Sequence, residues 1–187
     1  MTDGASIAQF FRVREPATPD DVEADLWNAA VGPMQYHEPN VAYQEAILEQ
    51  YKLYVEMADR ISVRRGLANT FFLTLNAAVF TLIGVFWKDR PQAAPTVLIV
   101  PFFIAVALCL AWFWLVRSYR QLNSGKSAVI GALERRLPAS PYWAAEWTAL
   151  GKGNDRARYW SLTHIEIWVP ALFGLAYFAA LLGALVL

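Results

Sequence analysis

His37 with Glu38, His164 with Glu166, and the single Cys109 are the side chains of this 187-residue sequence best suited to ligate a metal or move a proton. Structural zinc draws its ligands from Cys, His and carboxylate groups gathered at one point. Two histidines remote from each other, and a cysteine inside an apolar run, do not supply such a set, so no metal or other cofactor is expected. His164 stands apart, because imidazole changes charge near neutral pH and this one adjoins Glu166 at the start of an apolar block. His164 and Glu166 are therefore a candidate pH-responsive pair, against the plainer role of capping a helix. Gly151-Lys-Gly153 lacks the longer glycine, lysine and serine pattern that wraps a triphosphate and reads as a connector. Ser124-Gly-Lys-Ser127 falls in a helical stretch with no strand before it. No triad or nucleophile elbow is present, and the chain is not expected to be an enzyme.

The elements that position these residues are set by composition. A chain that is 57% hydrophobic and only 17% charged carries more apolar surface than a soluble core requires. That surface lies in three blocks, 67–87, 95–116 and 165–187, each near the ~20 residues that cross a bilayer as helix. None contains Lys, Arg or Asp, and Glu166 sits at the edge of the last. Spanning backbone must satisfy its own hydrogen bonds and the alternation of barrel strands is missing, so the blocks are predicted transmembrane helices. The acids Asp20, Asp21, Glu23 and Asp25 make the N-terminal stretch unlike a secretory signal. Arg60, Arg64 and Arg65 precede the first span. Arg117, Arg120, Lys126, Arg135 and Arg136 follow the second, and Lys152, Arg156 and Arg158 precede the third, whereas the turn between the first two has only Lys88 and Arg90. This bias places the N-terminus in the cytoplasm and the C-terminus outside. Trp87, Trp112, Trp114 and Trp168 are expected in the interfacial belts.

Thr18-Pro19-Asp20-Asp21 reads as an N-cap, a first-turn proline and acids at a positive helix end, so one short helix is expected within a polar segment, 1–42. After a loop over 36–40, Ile47, Tyr51, Tyr54, Ala58 and Ile61 recur at alternating four- and three-residue spacing, a heptad seam that requires a partner helix. One rod from 43 to 87 is predicted, its half 43–66 standing in the cytoplasm. The second span continues likewise toward Pro138, with Leu122, Val129, Ile130, Leu133 and Leu137 as an apolar stripe. Ser140-Pro141 opens a further helix holding Trp143, Glu146 and Trp147, so that 117–163 completes a cytoplasmic bundle. Thr163 and Glu166 have the spacing of a capping box, with Leu162 and Ile167 as its staple, and Pro170 implies an early kink.

Within the membrane, Thr70, Thr74, Ala77, Thr81 and Gly84 share one face of the first span, and Ala176, Ala180 and Ala184 one face of the third. Small residues let helices approach closely, so these faces and the heptad seam are candidate helix or oligomer interfaces. Asn69 and Asn76 are candidates for interhelical hydrogen bonding or for a pore lining. Below the first span, Glu56, Asp59, Arg60, Arg64 and Arg65 are expected to meet Arg117, Arg120 and Asn123 in an interhelical polar network, with Lys52–Glu56 and Glu56–Arg60 as neighbours along one helix. The juxtamembrane arginines also fit anionic lipid headgroups.

The segments Glu49-Gln-Tyr-Lys-Leu-Tyr-Val-Glu-Met-Ala-Asp-Arg60, Arg117-Ser-Tyr-Arg-Gln-Leu-Asn123 and Thr163-His-Ile-Glu-Ile-Trp-Val-Pro170 resemble the RipA family of small bacterial inner-membrane proteins. The resemblance spans 43–177 and implies a homo-octamer in a cytoplasmic membrane, with a link to stress or host adaptation and no reaction. The expected architecture is an all-α membrane protein with three transmembrane helices, the first two extended into a cytoplasmic bundle, assembled as a homo-oligomer. The expected partners are other copies of the chain and membrane lipids, with neither a nucleic acid nor a small-molecule substrate. The function this favours is a non-enzymatic oligomeric scaffold or sensor. An oligomeric pore lined by Asn69, Asn76 and the threonine stripe is the alternative.

Overall fold

The computed structural model describes residues 16–88, 99–153 and 162–186. Helix α1 (Pro19–Leu26) opens on Thr18, whose backbone N–H and hydroxyl both donate to Asp21 Oδ2, at 2.8 and 2.7 Å. A capping residue followed by proline at the first helical position gives this short helix a defined start. Helix α2 (Pro39–Lys88) is one rod of 50 residues, about 75 Å long at ~1.5 Å per residue. It begins before the expected position 43, because Pro39 suits a first helical turn whose N–H groups have no partners anyway.

Helix α3 (Ile99–Glu134) runs for 36 residues. It stops short of Pro138, where a tight turn has Arg136 N–H donating to Leu133 O at 3.1 Å and Leu137 N–H to Glu134 O at 3.0 Å. A residue before proline is disfavoured in helical conformation, and that ends the run. A wide helical turn (Pro141–Ala145) leads into helix α4 (Glu146–Ala149), and Ser140 Oγ accepts from Ala144 N–H at 3.3 Å. Gly151 (φ 76°) and Lys152 (φ 54°) then take left-handed conformations that break the chain direction, as the connector reading of this segment expects. Helix α5 (Leu162–Val186) continues through the buried Pro170. The turn carrying Arg90, the segment with Arg156 and Arg158, and the side chains of Trp87, Lys88, Thr163, His164 and Ala184 lie outside the described residues.

Helices α2, α3 and α5 are each long and apolar enough to cross a membrane. The middle helix is α3, packed along α2 and along α5, and its far end also receives α1. The seam of α2 does not stop at Ile61. It continues through Arg65, Asn69, Phe72, Asn76, Val79 and Ile83, all buried or half-buried, while the positions between them, Ala68 and Leu75 apart, face outward. The four-and-three alternation slips once, with two four-residue steps around Arg65, so the helix keeps the same face toward its partners from the extramembrane end to the last turns of the span. In the membrane-spanning part, Ala105, Cys109 and Tyr177 are the buried centre, enclosed by Val79, Ile83, Phe102 and Phe173. Aromatic rings extend this core, with Phe72 stacked on Trp112 at 5.9 Å and Trp112 against Phe173 at 6.3 Å.

Candidate functional site

The extramembrane end of α3 is closed in on all sides: Ala128, Ile130, Gly131, Ala132, Leu133 and Glu134 are all buried. Glu134, only 1% exposed, is the charged group of that cluster. A buried carboxylate is tolerated where donors saturate it. Here Oε1 accepts from the Tyr51 hydroxyl at 3.0 Å and from Tyr142 N–H at 2.8 Å. Oε2 accepts from Ser140 Oγ at 2.6 Å and from Trp143 N–H at 2.9 Å. One side chain thus fixes the seam of α2 to the end of α3 and caps the free N–H groups of the turn that follows. Burial, followed by the neighbouring Glu134, pushes the Tyr51 hydroxyl up to about 12. Further along the seam, the Lys126 ammonium lies 4.7 Å from the centre of the Tyr54 ring.

Helix α1 docks on this end. Pro19 is buried and packs so near Gly131 that a Cβ there would lie 2.8 Å from its Cγ and 2.7 Å from Trp143 Cδ2. Arg135 reaches both Asp20 (2.6 Å) and Glu23 (2.5 Å), and Arg136 lies 3.5 Å over the Trp27 ring while donating to the Tyr43 hydroxyl at 2.9 Å. The bond to Arg135 holds the Asp20 carboxyl below its ordinary range, and Thr18 does the same for Asp21. Helix α1 is therefore not separate from the bundle in space, since it is seated on residues 131–136.

In the membrane the two asparagines point into the chain's own core. Asn76 is fully buried; its Oδ1 accepts from Cys109 Sγ at 3.3 Å and from the Tyr177 hydroxyl at 3.2 Å, and its Nδ2 donates to Phe72 O at 2.9 Å. Asn69 Oδ1 accepts from Trp112 Nε1 at 3.0 Å. Trp112 was expected at an interface with headgroups, but it is 2% exposed, because its ring stacks on Phe72 and its N–H is taken by Asn69. Trp168 is 66% exposed and free to meet the lipid boundary. Thr70, Thr74, Ala77, Thr81 and Gly84 form an outward ridge on α2, and nothing lies within 4 Å of a Cβ built on Gly84. Thr70 and Thr81 turn their hydroxyls onto Gly66 O (3.1 Å) and Ala77 O (2.8 Å), so at these positions the ridge shows methyl groups. Ala176 and Ala180 on α5 are half-buried.

The polar network expected below the first span is built differently. Glu56 pairs along its own helix with Arg60 at 2.7 Å, and both are exposed, as are Asp59, Arg64 and Arg120. The reason is register: the seam at this level passes through Ala58, Ile61 and Arg65, and of the charged group only Arg65 falls on it. Arg65 meets Glu166 of α5 at 3.6 Å instead of the second span, and Glu166 Oε2 is buried without a partner. Glu166 is thus directed to another helix, while the capping box expected of it rests on Thr163, whose side chain lies outside the described residues. Lys52 pairs with Glu49 at 2.7 Å and not with Glu56. Arg117 lies 5.9 Å from the Trp114 ring, and Asn123 Oδ1 is buried and unpartnered. The heptad seam is turned onto α3 of the same chain, with Ile47 and Ala58 at 3% and 4% exposure and Tyr51, Tyr54 and Ile61 half-buried. Sequence reasoning missed Glu134. Its signal was an acid immediately after Ile-Gly-Ala-Leu in an apolar stripe, followed by Ser140 and Pro141 at the start of a helix.

Three apolar helices on a shared buried seam, prolonged outside the bilayer into a bundle locked by a buried carboxylate, define an all-α, three-span membrane protein. The family model of the octameric membrane proteins (8xMP) matches residues 48–186, and the chain belongs to that family. This agrees with the resemblance to the RipA family and with a self-associating fold. No curated protein and no solved structure matches the chain.

Proposed function

We propose that the protein is a non-enzymatic, homo-octameric scaffold of a bacterial cytoplasmic membrane, whose bundle stands in the cytoplasm as a docking or sensing platform. The observation that carries this reading is the division of labour on α2. Its inner seam, from Ile47 to Ile83, is used within the chain, whereas the ridge from Thr70 to Gly84 is smooth, apolar and uncovered. A second copy of the chain is the natural cover for such a ridge in a family of octamers, since small residues let backbones approach and pack by dispersion. The basic residues around the bundle support its cytoplasmic placement, with the C-terminus on the opposite side. The pore reading has less to draw on, because Asn69 and Asn76 are engaged inside one chain, which leaves it only the threonine stripe. Crosslinking in mild detergent tests the scaffold reading: bands up to eight copies are expected, and monomers alone would remove it.

A further inference from the structure

We propose that the end of α3, Gly131 to Arg136, is a receptor for a short acidic helix, with α1 as its resident occupant and an acidic helical segment of a partner protein as its displacing ligand. This rests on the reading of the bundle as a docking platform and names the chemistry that docks there. The occupant shows what the receptor selects: two carboxylates one helical turn apart, Asp20 and Glu23, both on Arg135, and an aromatic ring one turn further, Trp27, under Arg136. Gly131 lets the first turn of the helix approach, and Trp143 walls the site.

Three features make the occupant displaceable. First, α1 has eight residues, too few to be stable without the surface it rests on. Second, its two ion pairs are solvent-exposed, with Arg135 at 41% and Asp20 at 77%, so water and salt compete for them. Third, the fit is incomplete, since Trp27 Nε1 is buried with no partner, and a ligand that leaves no such donor unpaired has an advantage. The receptor residues lie inside the stretch that matches the octameric family, whereas α1 lies before it. Lipid headgroups are not the ligand. Glu134 stands roughly 27 Å beyond the end of the second apolar block at about 1.5 Å per residue, which is several Debye lengths from a charged bilayer surface.

The test uses full-length protein in detergent and a fluorescein-labelled peptide of residues 16–30, followed by anisotropy. In the Asp20→Lys, Glu23→Lys double variant the resident helix is repelled and the receptor is open. The peptide is expected to bind this variant at least tenfold more tightly than wild type, and less tightly as salt rises. Adding Arg135→Glu should abolish that binding, and a peptide carrying the same two lysine substitutions should bind the protein with Arg135→Glu as its single substitution, where the resident acidic helix is the one repelled. Equal binding to wild type and the double variant, no binding to the double variant, or binding indifferent to Arg135→Glu would each overturn the proposal. Particle mass measured on the same samples separates the two readings: peptide exchange on a monomer would remove the scaffold and leave the receptor standing.

Discussion

Replacing Glu134 by Gln keeps the shape of the buried side chain and removes its charge and half of its accepting capacity. Each carboxylate oxygen now accepts one hydroxyl and one backbone N–H: Tyr51 and Tyr142 on Oε1, Ser140 and Trp143 on Oε2. An amide presents NH2 on one side, so whichever way it is turned one backbone N–H faces a donor. The hydroxyl on that side can rotate and accept, but the N–H cannot. One buried donor left unpaired, with charge-assisted bonds reduced to neutral ones, costs about 2–4 kcal/mol. Glu134→Ala leaves four donors without their acceptor and a cavity as well, and should cost more. Tyr51→Phe deletes a single bond and should cost about 1 kcal/mol. Hydrogen exchange at the Tyr142 and Trp143 amides reads this directly, since local opening governs it. A loss of ~2 kcal/mol corresponds to roughly 30-fold faster exchange. Wild-type exchange rates at these amides in both Glu134 variants would refute the claim that this carboxylate locks the bundle.

Gly131→Ala should weaken the docking of α1 by about 1–3 kcal/mol, because its Cβ would meet Pro19 and Trp143 at under 3.0 Å, and earlier proteolysis near Trp27 is the readout. Asn76→Leu should destabilise the span bundle by about 0.6–1.7 kcal/mol, since Cys109 loses its acceptor and Phe72 O the Asn76 amide donor, while the Tyr177 hydroxyl keeps the backbone oxygen of residue 76 at 2.9 Å; unchanged resistance to denaturing detergent would count against it. On acidification, α1 should stay docked above the ordinary carboxylate value of 3.8 and come away only as pH falls through the lower values of Asp20 and Asp21, since lowered carboxylates stabilise the docked form while ionised. At the other extreme, the raised Tyr51 stabilises the lock fully below its ordinary value of 10.0, and that contribution should be lost as pH rises toward 12.

The spans and the rod of α2 were legible because their signals are long: an apolar block needs no partner to be recognised, and five seam residues at regular spacing locate a buried face. The seam faded from view at Arg65, Asn69 and Asn76, where polar residues take buried positions that an apolar pattern does not predict. These residues became readable only once Glu166, Trp112, Cys109 and Tyr177 were seen opposite them. Glu134 was hidden for the same reason, its partners being separated from it by 83 residues on one side and by a turn on the other. The charged residues around Glu56 misled because charge shows nothing of register: a shift of two positions along the helix moves a side chain from the seam to solvent.

An odd number of crossings, with the locked bundle on the N-terminal side, is the claim on which the rest depends. Reporter tags placed before residue 16 and after residue 186, read for accessibility in intact cells, test it most directly. The N-terminal tag should report from the cytoplasm and the C-terminal tag from the outer side of the membrane. Both tags on one side would contradict the account.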